Sequence, residues 1–300
     1  MRLYLGVGLV LAVSGVAASL AEAPIPDEPA PPEPGARPER IVSATLSTDE
    51  MLLALVEPEA LVAVTHFALD PRVSNVTERA REVRAVVTGD PESVLALEPD
   101  VVFADPVGRP ETRALLRRAG VPVLRVPEAR SLDDIRRNVR WVGEWVGERE
   151  RAEALVAEMD RVVADAAGRV RGAPRPRVLL YNRGGFTAGR GTLFDELVRL
   201  AGGRNAAAEA GIEGHASLAI ERALALDADV VLTTDYGADA RARRMLEPTS
   251  ITRDPVWSGA TAVRTGRVHA LEGRHVLSTS HHVAHAVADI ARALHPERFR

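Results

Sequence analysis

The stretch PESVLALEPDVVFA, residues 91–104, is typical of a short helix that turns at acidic residues and leads into a buried strand. The stretch IERALALDADVVLT, residues 220–233, has the same order of residue types. When Glu92 is aligned on Glu221, seven of the thirteen positions from the glutamates onward are identical. This repetition predicts one such helix–strand unit in each half of the chain, and chance similarity between two units of like composition is the alternative.

Apolar runs that favour strands alternate with helical patterns on both sides of these units. The runs cover residues 41–44, 61–65, 83–87, 100–104 and 121–126 in the first half, and 177–182, 229–233 and 267–271 in the second. Continuous Val, Leu and Ile runs between short helices indicate parallel sheets that are covered on both faces. The predicted fold class is therefore α/β, with two Rossmann-like lobes over residues 40–130 and 171–300.

The segment between the lobes favours a helix. Residues 131–168 contain no Pro and carry apolar residues at helical spacing. One interlobe helix over residues 131–170 is predicted, and its 38 residues from 131 to 168 would span about 57 Å at 1.5 Å per residue. Gly143 and Gly147 are the positions at which this helix could bend.

The N-terminus has the parts of a secretory signal peptide over residues 1–21. Arg2 is followed by an apolar run and then by small residues, with Ser19 and Ala21 suited to the positions before a cleavage site. An uncleaved anchor is the alternative, because residues 3–21 are just long enough to span a bilayer. Residues 22–39 are Pro-rich and acidic, which predicts an extended linker. The expected location is the periplasm.

Composition excludes several classes of site and partner. The chain has no Cys and no Lys, which removes thiolate metal sites, disulfides, Schiff-base chemistry and a lipidated cysteine anchor. Over residues 41–300, 35 Arg nearly balance 37 Asp and Glu, so a basic footprint for nucleic acid is absent. No catalytic motif with a nucleophile and its base is evident. We therefore expect a monomer that is not an enzyme, needs no cofactor and binds no nucleic acid.

Candidate ligand-binding residues follow the predicted strands, because in open α/β sheets the ligand crevice lies beyond the carboxyl ends of the strands. The candidates are His66, Phe67, Arg109, Arg183, Phe186, His215, Tyr236, Trp257, Arg274 and His281. The aromatic side chains could stack on a flat ligand, and the arginines could pair with carboxylate or phosphate groups. Packing inside a lobe and plain exposure to solvent are the respective alternatives.

The sequence SHHVAH places His281 and His285 four residues apart, with His282 beside them. Two imidazoles at this spacing on a helix can bind a metal ion together. The segment lacks the Glu of a hydrolytic HExxH motif, which argues against a metallohydrolase. Contact with a ligand and a solvated or capping role both remain open for these histidines. No metal site is predicted, and one formed by His281, His282 and His285 is the less favoured alternative.

Six segments in the same order resemble the iron-chelate and cobalamin family of periplasmic binding proteins. They are RIVSATLSTDEMLLAL at 40, ESVLALEPDVVFA at 92, GVPVL at 120, the central helix, FTAGRGTLFDELVRLAGGRN at 186 and ALALDADVVLT at 223. This resemblance implies two lobes joined by one long helix, with a ligand in the cleft between them. It implies that the protein captures a metal chelate for an ABC importer. A cobalamin-like corrinoid or a ferric siderophore is the first expectation, and haem is the next.

The resemblance also implies that Glu92 and Glu221 dock against arginines of the inner-membrane ABC permease, which works with its ATPase. A Glu in the first turn of a helix is favoured by the helix dipole without any partner, which is the alternative. Two other functions stay open. One is a free-metal protein for Zn or Mn that uses His66, His215, His281 or His282, and the other is a hydrolase on the same scaffold.

Overall fold

Residues 37–87, 90–104, 110–235 and 248–300 are described by the computed structural model of the chain. The strands of the first lobe within these ranges are β1 Ile41–Ser43, β2 Leu61–Thr65, β3 Ala85–Val87, β4 Val101–Ala104 and β5 Val123–Arg125. They form one parallel sheet in the order β3-β2-β1-β4-β5. The helices of this lobe are α1 Leu46–Leu55, α2 Thr77–Ala80, α3 Pro91–Leu95 and α4 Pro110–Arg118.

Helix α1 begins directly after the central strand β1. Thr45 is its N-cap and forms a capping box with Thr48, so the backbone donors of the first turn are satisfied. The strand and the helix are both apolar, and Met51, Leu52 and Leu55 pack against one face of the sheet. A second apolar cluster covers the other face. The short β1–α1 connection therefore holds the start of α1 at the carboxyl edge of the sheet.

The segment between the lobes is a helical hairpin. Helix α5 covers Leu132–Trp145 and α6 covers Arg149–Arg169. The two helices run antiparallel, as the ion pairs Arg136–Asp160 and Arg140–Glu153 show. The prediction of one continuous helix is wrong at this point, because Gly147 adopts a φ of 71° that turns the chain back.

The second lobe carries a smaller parallel sheet. The strands of the second lobe within the described ranges are β6 Arg177–Leu180, β7 Phe186–Ala188, β8 Arg204–Asn205, β9 His215–Ser217, β10 Val230–Asp235 and β11 Val268–Glu272. The parallel sheet has the order β11-β10-β6-β8, and β7 and β9 form a separate antiparallel pair that the sequence did not predict. The helices are α7 Leu193–Leu200, α8 Ala206–Glu209, α9 Ile220–Ala225, α10 Pro248–Thr252, α11 Thr261–Arg264, α12 Gly273–Val276 and α13 Ala284–Leu294.

The α/β fold with two parallel-sheet lobes is thus confirmed, and α6 connects the lobes. The helix packs against α5 on one side and against α13 of the second lobe on the other. One apolar core runs through this contact, from Leu52 of the first lobe through Val156 to Ile290 of the second. Across the part of the chain that is described, none of the helices combines the length and the apolar character that crossing a bilayer would require.

Candidate functional site

A cavity of about 790 Å³ lies between the two lobes. It opens at the carboxyl ends of β1, β4 and β5 on one side and of β6 and β10 on the other, where the strand-end rule places a ligand. Both lobes contribute to its walls. The first lobe and α5 supply Thr45, Leu46, Ser47, Ala104, Val126, Pro127, Glu128, Ala129, Arg130 and Asn138. The second lobe supplies Leu180, Asn182, Phe186, Ala188, Gly191, Thr192, Leu193, Phe194, Gly214, His215, Thr234, Val276, Leu277, Ser278 and Thr279.

Phe186 and His215 form a flat surface in this cavity. Their rings stack with centroids 5.3 Å apart and planes 17° apart. The β7–β9 pair makes this possible, because Phe186 pairs with Ser217 and His215 with Ala188, which makes the two rings diagonal neighbours on one face. Phe186 remains 38% exposed. The rings therefore offer an accessible aromatic face for stacking.

Gly185 fixes the position of this surface. Its carbonyl oxygen accepts a hydrogen bond of 2.8 Å from the Leu218 N–H. A Cβ at position 185 would lie 2.1 Å from the Leu218 carbonyl oxygen, and the residue has a φ of 75°. Only glycine fits both conditions. The backbone just before Phe186 is thus held against the residue that follows β9, the strand that begins with His215.

Asn182 and Thr234 form a buried polar pair at the ends of β6 and β10. The Asn182 amide donates to Thr234 Oγ1 at 2.6 Å, and the Thr234 N–H donates to Asn182 Oδ1 at 2.8 Å. Thr234 directly follows the apolar run at 229–233, so the strand-end rule could have found it from the sequence. Asn138, Ser278 and Thr279 carry no such signal, because they do not follow a predicted strand.

The cavity wall contains few charges. Among the lining residues that are described, the carboxylate and guanidinium groups belong to Glu128 and Arg130, which pair with each other at 2.8 Å. Hydroxyl and amide groups provide most of the remaining polarity, from Thr45, Ser47 and Asn182 among others. Apolar side chains such as Leu46, Leu193 and Val276 make up the larger part of the described lining, so it suits a large ligand that has apolar surface, some polar groups and little net charge.

The other candidate residues that are described lie outside this cavity. His66 and Phe67 are exposed beyond the end of β2, with ring centroids 3.9 Å apart. Trp257 is 3% exposed and packs against Tyr181 in the core of the second lobe, as the packing alternative expected. The Arg274 side chain pairs with Glu272.

Three candidates cannot be placed. Arg109 and Tyr236 lie outside the described residues, and so does the side chain of Arg183, whose backbone forms a turn after β6. Ligand contact by any of the ten candidates stays a prediction.

The histidines near the C-terminus do not share one helix face. His281 lies in a 3-10 turn, and α13 begins only at Ala284, so the expected i, i+4 arrangement is wrong. Instead, the ring centroids of His281 and His282 lie 4.0 Å apart, and those of His285 and His275 lie 5.2 Å apart.

Burial lowers the pKa of these imidazoles, to about 4 for His281 and about 2 for His282. The two rings line a separate small pocket on α2 rather than the cleft. Among the described residues, no group of three or more His, Asp or Glu side chains is arranged to hold a metal ion. The free-metal alternative therefore has no site in this part of the chain.

The sequence repeat corresponds to a repeated turn in the structure. Glu98 and Asp227, which are aligned in the two units, both adopt left-handed backbone with φ of 47° and 41°. An arginine from the start of each lobe's sheet binds this turn. Arg40 Nε donates to the Glu98 carbonyl at 2.8 Å, and Arg177 Nη1 donates to the Leu226 carbonyl at 2.6 Å.

Each turn is also tied by an aspartate. Asp100 accepts from the N–H of Arg40 at 2.9 Å, and Asp229 accepts from the N–H of Arg177 at 2.7 Å. The short helices α3 and α9 that lead into these turns carry Glu92 and Glu221 in their first turns, and both side chains are exposed. The two glutamates therefore occupy equivalent positions, one on each lobe.

Comparison with known proteins agrees with the two-lobed α/β fold. The family model described as "Periplasmic binding protein" matches residues 41–274. A cobalamin-binding protein of Halobacterium salinarum is 31% identical over 269 residues, which cover 86% of this chain and 70% of that protein. The uncharacterized ABC transporter substrate-binding lipoprotein YvrC of Bacillus subtilis is 24% identical over 88% of this chain and 82% of its own length.

A solved structure gives the same result. The periplasmic heme-binding protein RhuT from Roseiflexus sp. RS-1, in apo form, superposes with a TM-score of 0.73 at 31% identity. The alignment covers 87% of this chain and 99% of that one.

Proposed function

Because the chain belongs to the periplasmic binding protein family, a family of extracytoplasmic substrate-binding proteins rather than enzymes, we propose that it captures a corrinoid in the cleft and delivers it to an ABC permease. The observation that carries this proposal is the cleft lining. A stacked Phe186–His215 surface stands in a cavity whose described walls combine apolar side chains with hydroxyl and amide groups and contain few charged groups.

The size and the polarity of the cavity support a corrinoid. Small-molecule sites span about 300 to 1,000 Å³, and this cavity of about 790 Å³ lies in the upper part of that range. A corrinoid has a planar ring for the aromatic surface and peripheral amides for the hydroxyl and amide groups. Haem and anionic siderophores carry carboxylate or similar groups that need cationic partners, and Arg130 in the described wall is already paired with Glu128.

The relatives support the same ligand class. One binds cobalamin and another binds haem by their names, and both of these ligands are metal-containing tetrapyrrole macrocycles. A third relative is named as an ABC transporter substrate-binding protein, which supports delivery to a permease. Glu92 and Glu221, exposed at equivalent positions on the two lobes, are the proposed contacts with permease arginines.

The proposal includes export. The signal sequence over residues 1–21 lies outside the described residues and is proposed to be cleaved. The relative from Bacillus subtilis is a lipoprotein, whereas this chain has no Cys to carry a lipid. A periplasmic protein without a lipid anchor, acting as a monomer with no chemical step of its own, is therefore proposed.

Isothermal titration calorimetry with cyanocobalamin, a ferric hydroxamate siderophore and haemin tests the ligand. We expect the tightest binding for cyanocobalamin. Phe186→Ala should weaken that binding by about 1 to 2 kcal/mol, roughly 5- to 30-fold, because a stacking surface is lost. Phe299→Ala is the matched control, since Phe299 packs under Arg169 and Arg292 at the C-terminus and does not line the cavity.

Binding of haemin or the siderophore alone would replace the corrinoid with that ligand. Binding of none of the three at micromolar concentration would remove the ligand class. An equal loss of affinity in Phe186→Ala and Phe299→Ala would remove the stacking role.

A further inference from the structure

Glu50 connects the two lobes through a fully buried carboxylate. The side chain extends from α1 of the first lobe and is 0% exposed. Its Oε1 accepts from the backbone N–H and the side-chain amide of Asn75, at 3.0 and 2.7 Å, within the first lobe. Its Oε2 accepts from the hydroxyls of Ser278 and Ser280, at 2.8 and 2.6 Å, in the second lobe. Each oxygen thus serves one lobe.

Asn75 reinforces this connection. The same amide nitrogen that binds Glu50 also donates to the Arg274 carbonyl oxygen of the second lobe at 2.7 Å. The hydroxyl oxygens of Ser278 and Ser280 lie 2.9 Å apart, and Ser280 caps the following turn by accepting from the His282 N–H. The segment from Arg274 to His282 is therefore tied to α1 as a unit.

Glu196 makes the reverse connection. The residue lies on α7 of the second lobe, and its Oε2 accepts from the N–H of Leu132 at 2.8 Å. Leu132 is the first residue of α5, where backbone N–H groups have no partner within the helix. A carboxylate from the second lobe thus satisfies a helix end that packs with the first lobe.

Both connections border the cleft. Ser278 itself lines the cavity, together with Val276, Leu277 and Thr279 of the same segment. On the other side, Leu193 and Phe194 of α7 line it next to Glu196, and Arg130 lines it just before α5. A change in either bridge would therefore move a wall of the cavity.

The chemistry of Glu50 indicates a role in positioning. Burying a carboxylate is costly unless it is well hydrogen-bonded, and the donors that the described residues give to Glu50 are all neutral. Burial accordingly raises the pKa of Glu50. An apolar contact between the lobes would stabilise the fold at least as well, but it would not fix their spacing through directed hydrogen bonds.

We propose that Glu50 and Glu196 are positioning residues that set the width of the ligand cleft by bridging the two lobes in opposite directions. The link to ligand affinity rests on the proposed function, whereas the lobe spacing can be measured without any ligand.

Distances between spin labels test the spacing. The chain has no native Cys, so Arg117→Cys on α4 and Arg253→Cys just beyond α10, both at exposed positions, give one label on each lobe. We expect Glu50→Ala to broaden or shift the distance distribution measured by double electron–electron resonance. Glu50→Gln should keep the parental distribution, because its carbonyl oxygen can still accept from Asn75 and serine hydroxyls can turn to accept from its amide.

Asp49→Ala is the matched control. Asp49 is the neighbouring residue on α1 and is equally buried, but its partner Thr65 belongs to the first lobe. This variant should lose stability without any change in the interlobe distance. Identical distributions for the parent and Glu50→Ala, or an equal change in Asp49→Ala, would overturn the role of Glu50.

Glu196→Ala provides an independent test should Glu50→Ala fail to fold. Its side chain is 24% exposed, so its removal perturbs packing less. A changed distance distribution in Glu196→Ala, restored in Glu196→Gln, supports the proposal, and an unchanged distribution overturns it for that bridge.

Cyanocobalamin affinity is the second readout. We expect it to fall by about tenfold or more in Glu50→Ala and to stay at the parental value in Asp49→Ala, because a misplaced wall loses contacts that depend on geometry. An unchanged affinity alongside a changed distance would overturn the link to the ligand. A parent that binds no cyanocobalamin would count against the proposed function, while the distances would still decide the bridging role.

Discussion

Replacing Gly143 with alanine should destabilise the protein, although alanine is the better helix former. A Cβ at position 143 would lie 2.4 Å from the Cβ of Ala152 and 3.2 Å from the Glu148 carbonyl oxygen. Ala152 lies on α6, and Glu148 lies in the turn between α5 and α6. The helices would have to separate, because the contact is between backbone-near atoms that no rotamer change can move.

Two effects of opposite sign decide the magnitude. The helix propensity of alanine over glycine contributes about 1 kcal/mol in favour of the variant. Overpacking of a close helix contact costs about 1 to 3 kcal/mol. We therefore expect a net loss of up to about 2 kcal/mol in the free energy of unfolding, which corresponds to a few degrees in Tm at roughly 2 to 4 °C per kcal/mol.

Gly168→Ala is the matched control on α6. A Cβ there would meet nothing within 4 Å, so this variant should gain about 0.4 to 1 kcal/mol. Urea unfolding followed by circular dichroism measures both variants against the parent. A gain in stability for Gly143→Ala similar to that for Gly168→Ala would refute the hairpin and favour a continuous helix.

The remaining predictions concern pH and docking. The pKa of Asp49, raised to about 7 mainly by burial, means that its stabilising contribution is present below about pH 4 and is lost as pH rises through 7. Asp49→Asn should therefore remove a fall of up to about 3 kcal/mol in unfolding free energy between pH 5 and 8. His281 should act in the opposite direction, because burial lowers its pKa to about 4 and the protein should therefore lose stability as pH falls from 6.5 through 4. His281→Gln should remove that loss in the same urea titrations. The double variant Glu92→Arg, Glu221→Arg should abolish uptake in reconstituted vesicles while leaving ligand affinity intact, and normal uptake would contradict docking at these residues.

The elements that local patterns define could be predicted from the sequence. Continuous apolar runs located the strands of both parallel sheets except the two-residue β8 at Arg204–Asn205. The repeated unit at 92–104 and 221–233 located equivalent turns at Glu98 and Asp227. The strand-end rule found Phe186, which stacks in the cleft on His215, another of the candidates. These features depend on residues that are close in the chain or on the fixed geometry of a parallel sheet.

Features that depend on contacts between distant residues could not be predicted. The α5–α6 hairpin requires Gly143 to meet Ala152, and helical periodicity continues unchanged through that turn. From the sequence, Glu50 is an ordinary polar residue of a helix. Its role depends on Ser278 and Ser280, which are more than 220 positions away in the chain and donate to its second carboxylate oxygen in the fold. Trp257 could be assigned to the core only after Tyr181 was placed beside it.

The repeated turn at Glu98 and Asp227 gives each lobe the same local structure next to an exposed glutamate at a helix start. A partner that contacts both lobes at these points therefore meets two similar surfaces. The two surfaces differ at their helix starts, since Asp90 caps α3 by accepting from the Ser93 N–H at 2.9 Å, whereas Ala219, the N-cap residue of α9, provides no side-chain cap. The two lobes therefore differ at these helix starts, although the turns that follow the helices are alike.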